Sequence, residues 1–276
     1  MTVAIVGLGL MGGSLALSLK KFDFITEIVG CDHNKKHQKE AITLGLVKSV
    51  VEFEEIKNYD TIFLAIPVDG IIVALKNLKD VKENTTIIDL GSTKAKIIQE
   101  IPKSIRKNFI AAHPMTGTEN FGPSAAVENL YKNKVVVLCE LEDSGVHQVE
   151  VAKKIFRVLE MKKYFMSAQD HDRRAAFISH MPHAISYSLA NTVMNQENKN
   201  DILALAAGGF RDMSRLAKSS ANMWEDIFRQ NKTNLLEAIE LFEKELNLLK
   251  KNIEDDKWSE VHKNIEAGNR LHDILN

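Results

Sequence analysis

Val3-Ala4-Ile5-Val6-Gly7-Leu8-Gly9-Leu10-Met11-Gly12-Gly13-Ser14-Leu15-Ala16 runs from a short apolar strand signal, through a Gly-x-Gly-x-x-Gly turn, into an apolar helix. Each glycine has a separate task. Gly7 permits the tight turn, Gly9 lets a pyrophosphate approach the backbone, and Gly12 lets helix and strand pack closely. The helix start then offers free N–H groups and a positive dipole end to phosphate oxygens. Glu27-Ile28-Val29-Gly30-Cys31 reads as the second strand, ended by Asp32. An acid about 20 residues beyond the last glycine is placed to bond the adenine ribose hydroxyls and to repel a 2′-phosphate, which favours NAD over NADP. Lys35 and Lys36 nearby leave room for some NADP tolerance. The candidate cofactor contacts in this stretch are Gly7, Gly9, Leu10, Met11, Gly12 and Asp32.

The same alternation continues outward. Strand signals recur at Thr61–Ile66, Thr85–Leu90, Phe109–Ala112, Lys134–Cys139 and Lys163–Met166, separated by helical patterns. This predicts an α/β fold with a doubly wound, mostly parallel sheet. After about Ala168 strand signals vanish and helix-period segments take over. The expected division is a dinucleotide-binding domain over 1–167 and a helical substrate-binding and dimerisation domain over 168–276, in keeping with two domains for 276 residues. With 45% hydrophobic and 26% charged residues the composition is that of a soluble globular protein. A net charge of -1 argues against a nucleic-acid partner. The uncharged run from Thr2 to Leu19 resembles a signal peptide or membrane helix, but its lysines, Lys20 and Lys21, come after the apolar core and glycines break it, so no membrane role is expected. Cys31 and Cys139, both inside strand-like runs, imply no disulfide framework and point to the cytoplasm.

His113 follows the apolar run Phe109–Ala112 and precedes Pro114-Met115-Thr116-Gly117-Thr118-Glu119, so it is expected at the carboxyl end of a strand. Ligands bind at that edge of an open α/β sheet. A histidine there can take a proton, or can merely bond the backbone of a loop. Ser92, after Gly91 at the end of another strand, should share the edge; its plainer role is a helix cap. Ile66 and Pro67 end a third strand and complete the candidate cofactor set together with Ser92. His180 and His183 lie three apart in the apolar segment His180–Ala190, with Pro182 near the expected helix start. No His-Glu-x-x-His pattern and no nearby Cys favours a metal there. Core packing and carboxylate binding stay open for the pair. Arg211 and Arg215, four apart, could clamp an anion or pair with Asp212 or Glu225. Trp224 could stack on a ring or fill the core. Asn195 to Asn200 is a polar loop. Ile239, Phe242, Leu246, Leu249 and Ile253 form a narrow apolar seam that suits either an internal core or a subunit interface.

Together these pieces resemble the prephenate dehydrogenase family of tyrosine biosynthesis, with its arogenate-using relatives. The resemblance rests on segments 7–16, Ala-Ile-Pro-Val at 65–68, Asp-Leu-Gly-Ser-Thr-Lys at 89–94, His-Pro-Met-Thr-Gly-Thr-Glu at 113–119, His-Met-Pro-His-Ala at 180–184 and Gly-Gly-Phe-Arg-Asp-Met-Ser-Arg at 208–215. It implies a Rossmann domain followed by a dimerising helical domain, and an NAD-dependent oxidative decarboxylation. In that reaction hydride leaves the ring carbon bearing the hydroxyl, His113 takes the hydroxyl proton with help from Ser92, and the ring carboxylate departs as carbon dioxide. By the same resemblance Arg215 would hold the ring carboxylate, His183 would face the side chain and Trp224 would enclose the substrate. Glu119 would gate the pocket, with Thr118 and His180 as further substrate contacts. A histidine at 183 goes with prephenate rather than arogenate. Tyrosine, which resembles the substrate, could inhibit from the same pocket.

The chain's end at Asn276 leaves no expectation of an appended regulatory or chorismate mutase domain. Two other readings compete. β-Hydroxyacid dehydrogenases also join a Rossmann domain to helices but usually rely on a lysine in the helical part, where this chain has histidines and arginines. A dinucleotide sensor would need the glycines and Asp32 but no His113–Ser92 pairing.

Overall fold

The structure, a computed structural model, describes residues 1–275. The first half alternates strands and helices: β1 (Thr2–Val6), α1 (Leu10–Leu19), β2 (Glu27–Cys31), α2 (Lys35–Thr43), β3 (Ser49–Val50), β4 (Thr61–Leu64), α3 (Val68–Asn77), β5 (Thr86–Asp89), α4 (Ala95–Glu100), β6 (Phe109–Pro114), β7 (Val135–Cys139), α5 (Val146–Val158) and β8 (Lys162–Met166). Helices alone follow: α6 (Ala168–Ala175), α7 (Met181–Met194), α8 (Lys199–Ala204), α9 (Gly208–Ser214), α10 (Ala221–Gln230), α11 (Lys232–Glu254), α12 (Trp258–Asn269) and α13 (Leu271–Leu275). Met1–Asn231 form one compact unit, and the chain from Lys232 onward forms a second.

Among the described residues the sheet has eight strands in the order β3-β2-β1-β4-β5-β6-β7-β8, parallel except where β6 meets β7. Helices cover both faces, so strand residues are buried on both sides. In β1, Val3 and Ile5 enter one apolar core while Ala4 and Val6 enter the other. The strands therefore read as continuous apolar runs in the sequence. The uncharged stretch from Thr2 to Leu19 has the same cause, because α1 is packed on both sides. A Cβ on Gly12 would strike the Gly7 carbonyl, and one on Gly13 would touch Leu46 and Ala126. No helix among the described residues is long and apolar enough to cross a membrane.

Pro182 lies in the first turn of α7, as expected, and α7 continues from α6 through a π-helical segment, Ala176–His180. Proline lacks an N–H and crowds the carbonyl four residues earlier, and the widened turn just ahead of it accommodates both. One expectation needs correcting: the polar loop is shorter, since Lys199 and Asn200 already belong to α8. In the second unit α11 carries the apolar seam. Leu246 and Ile253 on it are 51% and 46% exposed, and Ile239, Phe242 and Leu249 are half-buried.

Candidate active site

Parallel pairing brings four loops to one edge of the sheet. Val6 pairs with Leu64, Leu64 with Asp89, and Asp89 with Ala111. Gly7, Ile66 and Ser92 therefore follow the carboxyl ends of neighbouring strands, and His113 is the last residue but one of β6. The strand order reverses at β1, where a ligand crevice opens in such sheets. The glycine loop there is shaped by close contact. Gly7 has φ +91°, and a Cβ on it would lie 2.3 Å from the Ala65 carbonyl oxygen. A Cβ on Gly12 would lie 1.8 Å from the Gly7 oxygen. Gly9 differs, its nearest neighbour being the Gly122 nitrogen at 3.9 Å. Two glycines thus close the turn, and the middle one leaves open space over the backbone at the start of α1. Asp32 accepts the Leu8 N–H at 2.9 Å and the Asn34 N–H at 2.8 Å, tying the loop to the end of β2. Each carboxylate oxygen keeps a second lone pair for ribose hydroxyls. The residues present fit a dinucleotide. Met11 lends its carbonyl to the Tyr131 hydroxyl at 2.7 Å, Leu10 and Ile66 are half-buried, and Pro67 is exposed.

His113, partly buried near the end of β6, is held by its backbone and by its ring. On the backbone side, Asp89 accepts the Ala112 N–H at 3.1 Å and Lys94 donates to the Ala112 carbonyl at 2.8 Å. Asp89 and Lys94 form an ion pair with both side chains fully buried. Removing one partner of such a pair strands a charge and costs roughly 3–5 kcal/mol. On the ring side, His113 Nδ1 lies 2.8 Å from His171 Nε2, and His171 Nδ1 lies 2.8 Å from Asp172 Oδ1. Asp172 also accepts the N–H groups of Lys94 at 2.7 Å and Ala95 at 2.9 Å. An ionised carboxylate only accepts, so His171 must donate through Nδ1 and accept at Nε2. His113 then donates through Nδ1 and carries a bare lone pair on Nε2. Burial above all, then His171 and Lys94, pushes the His113 pKa well below the ordinary histidine range, so the ring is neutral at physiological pH. A neutral imidazole with a free Nε2 can take a proton.

His180 and His183 gather around Trp224, which is 6% exposed. His183 stacks on it with ring centroids 3.6 Å apart, and His180 meets it edge-on at 6.1 Å. His183 Nδ1 bonds the Ser179 carbonyl at 2.8 Å, which directs Nε2 away from that carbonyl. His180 is buried with Nδ1 3.0 Å from the Asn231 amide, and burial pushes its pKa down to about 4. Its Nε2 and the Trp224 indole nitrogen are buried without a hydrogen-bond partner. Arg215 pairs with Glu119 at 3.0 Å, not with Asp212 or Glu225. Arg211 does not join that pair; it bonds the Ala206 carbonyl. Thr118 is exposed and accepts the Asn120 N–H. Ser92 is half-buried and does not cap the helix beside it, because Asp172 takes the N–H groups of Lys94 and Ala95.

Nothing in the sequence singled out His171, Asp172 or Asn231. The available signal was Asp170-His171-Asp172, four residues past a strand end, a run that reads equally well as a solvated helix start. Docking of α6 leaves His171 and Asp172 each 2% exposed. Asn231, at the end of α10, donates to the Asp172 carbonyl at 2.6 Å.

The sequence model of the prephenate dehydrogenase nucleotide-binding domain matches residues 15–164, and that of the prephenate dehydrogenase dimerization domain matches 167–267. Prephenate dehydrogenase of Bacillus subtilis is 32% identical over 99% of this chain and 76% of that protein. The crystal structure of prephenate dehydrogenase from Aquifex aeolicus, in complex with hydroxyphenyl propionate and NAD+, superposes with a TM-score of 0.92 at 31% identity, over 100% of this chain and 98% of that one. Synechocystis arogenate dehydrogenase gives 0.81 at 26% identity over the whole of both chains. With its Rossmann sheet, helical C-terminal part and these matches along nearly its full length, the chain belongs to the prephenate dehydrogenase family.

Proposed function

We propose that the protein catalyses the NAD-dependent oxidative decarboxylation of prephenate to 4-hydroxyphenylpyruvate. The observation that carries this reading is the Asp172–His171–His113 chain, which leaves His113 Nε2 as a base on the edge bearing the dinucleotide loop. Gly7, Gly9, Leu10, Met11, Gly12, Asp32, Ile66 and Pro67 hold the cofactor, and NAD, when bound, supplies the hydride acceptor. His113 takes the ring hydroxyl proton as the adjacent C–H leaves as hydride, with Ser92 sharing the hydroxyl. Arg215 leaves Glu119 and holds the ring carboxylate until the bond electrons enter the ring and carbon dioxide departs, and His113 returns its proton to the phenolate oxygen so formed. His183, His180, Trp224 and Thr118 enclose the side chain. Residues 1–167 carry the cofactor, and the helical part from 168 carries substrate contacts and dimerises. The apolar Leu246 and Ile253, about half exposed, suit a homodimer interface. Tyrosine inhibits from the substrate pocket. Both cysteines are free and buried, which suits a cytoplasmic enzyme.

One observation favours a second substrate. A neutral His183 that gives its Nδ1–H to Ser179 offers a lone pair at Nε2, which suits the ammonium of arogenate; the carboxylate of prephenate needs the protonated ring. Initial rates of NAD reduction with each substrate decide. Faster turnover of prephenate supports the reading, dominance of arogenate replaces the substrate but keeps the chemistry, and no turnover of either overturns it.

A further inference from the structure

Helix α10 touches three parts of the compact unit Met1–Asn231. Trp224 stacks on His183. Asn231, directly after the helix, reaches the Asp172 carbonyl and His180. The third contact is Asp226, which is 8% exposed and whose Oδ2 accepts the N–H of Val68, the first residue of α3, at 2.9 Å. The residue ahead of Val68 is Pro67, which has no side-chain acceptor, so α3 cannot cap itself. Its cap comes from a residue 158 positions later in the chain. The Asp226 carboxylate is in turn held at Oδ1 by Arg229 at 2.9 Å and Gln230 at 3.1 Å, and both of these also grip Asp69. The segment fixed in this way, Ile66–Val68, directly follows Ala65, whose carbonyl crowds Gly7 of the dinucleotide loop.

We propose that Asp226 is a positioning residue that couples dinucleotide occupancy to the substrate side. A dinucleotide settling against Ile66 and Pro67 orders the start of α3. The Val68–Asp226 bond passes that order to α10, and with it to the Trp224–His183 stack. Linkage is reciprocal, so substrate must tighten the dinucleotide by the same factor. The proposal rests on the prephenate dehydrogenase reading.

Titration calorimetry of the full chain tests it, with NAD and 4-hydroxyphenylpropionate each titrated alone and in the presence of the other. In the unaltered protein each ligand should tighten the other by a factor within the usual range of about 5–150. Asp226→Ala should cut that factor at least about fivefold, with the kinetic loss falling on KM for both substrates more than on kcat. Asp226→Asn can keep its oxygen on Val68 while its NH2 replaces the acceptor that Arg229 and Gln230 use, so it should keep more of the coupling than Asp226→Ala. Val68→Pro deletes the same N–H at a first-turn position that tolerates proline, and should reproduce the loss without altering α10. Undiminished coupling in a folded Asp226→Ala protein, or equal loss in Asp226→Asn, overturns the proposal. If the unaltered protein binds NAD but not the analogue, the functional reading has failed. If it binds both without coupling, only this inference has failed.

Discussion

The two halves of the candidate site are built in opposite ways. The dinucleotide loop is local, since Gly7, Gly9 and Gly12 lie within six residues and act through missing side chains and backbone N–H groups. The surroundings of His113 are dispersed. His113, His171, Asp172 and Lys94 come from β6, α6 and the loop before α4, and act through buried side chains in defined tautomers. A loop made of backbone is damaged by adding atoms, and a relay made of side chains is damaged by removing them. The first should therefore fail in folding and cofactor affinity, the second in turnover.

The sharpest contrast comes from Gly12→Ala. The new methyl would lie 1.8 Å from the Gly7 oxygen, and backbone cannot yield as a side chain can. A loss of about 3 kcal/mol or more in urea unfolding is expected, together with loss of NAD binding. Wild-type stability would show that the loop is not the tight structure described.

His113→Asn should leave NAD affinity within about twofold while kcat falls by about 10²–10⁴, the usual contribution of a general base. A near-normal kcat would remove His113 from the chemistry.

His171→Asn should cost less, about 10–100-fold in kcat, because the base stays and only its orientation is lost. The pH profile adds a test. Burial, His171 and Lys94 all lower the His113 pKa, so protonation, which abolishes the base, occurs only on the acid side of 6.5. kcat/KM should rise with pH through that limb and stay flat through neutrality. Without the His171 ring the limb should move to higher pH; a limb that stays in place breaks the relay.

Gly9→Ala is the mildest. The added Cβ meets nothing closer than 3.9 Å, so the fold should hold within about 0.5 kcal/mol of wild type. NAD binding should weaken about tenfold, because the methyl occupies the pyrophosphate's approach. An unaltered NAD affinity would mean that the open space over Gly9 is not where the phosphates lie.

Legibility in the sequence follows the same division. The glycine turn, the acid ending β2 and the apolar strands are written in contiguous residues, because local geometry and burial on both sheet faces dictate them. His113 could be placed on the ligand edge because a polar break follows its strand. The two-residue strand β3 left no pattern long enough to notice. Ser92 taken singly suits a helix cap, whereas Asp172, far away in the chain, performs that task for α4. Arg215 showed its charge but not its partner, since Glu119 lies 96 residues away. His171 looked like part of a solvated helix start, and only the docking of α6 makes it a buried link.

The sequence by itself determined the doubly wound sheet, the glycine turn and the place of His113 near the end of its strand, because each follows from short-range sterics or from a periodicity a few residues long. Tertiary structure alone decided which groups orient the His113 ring, what caps α3 and α4, and which carboxylate holds Arg215. Those are hydrogen bonds between residues brought within 3 Å by packing, and no spacing along the chain records them.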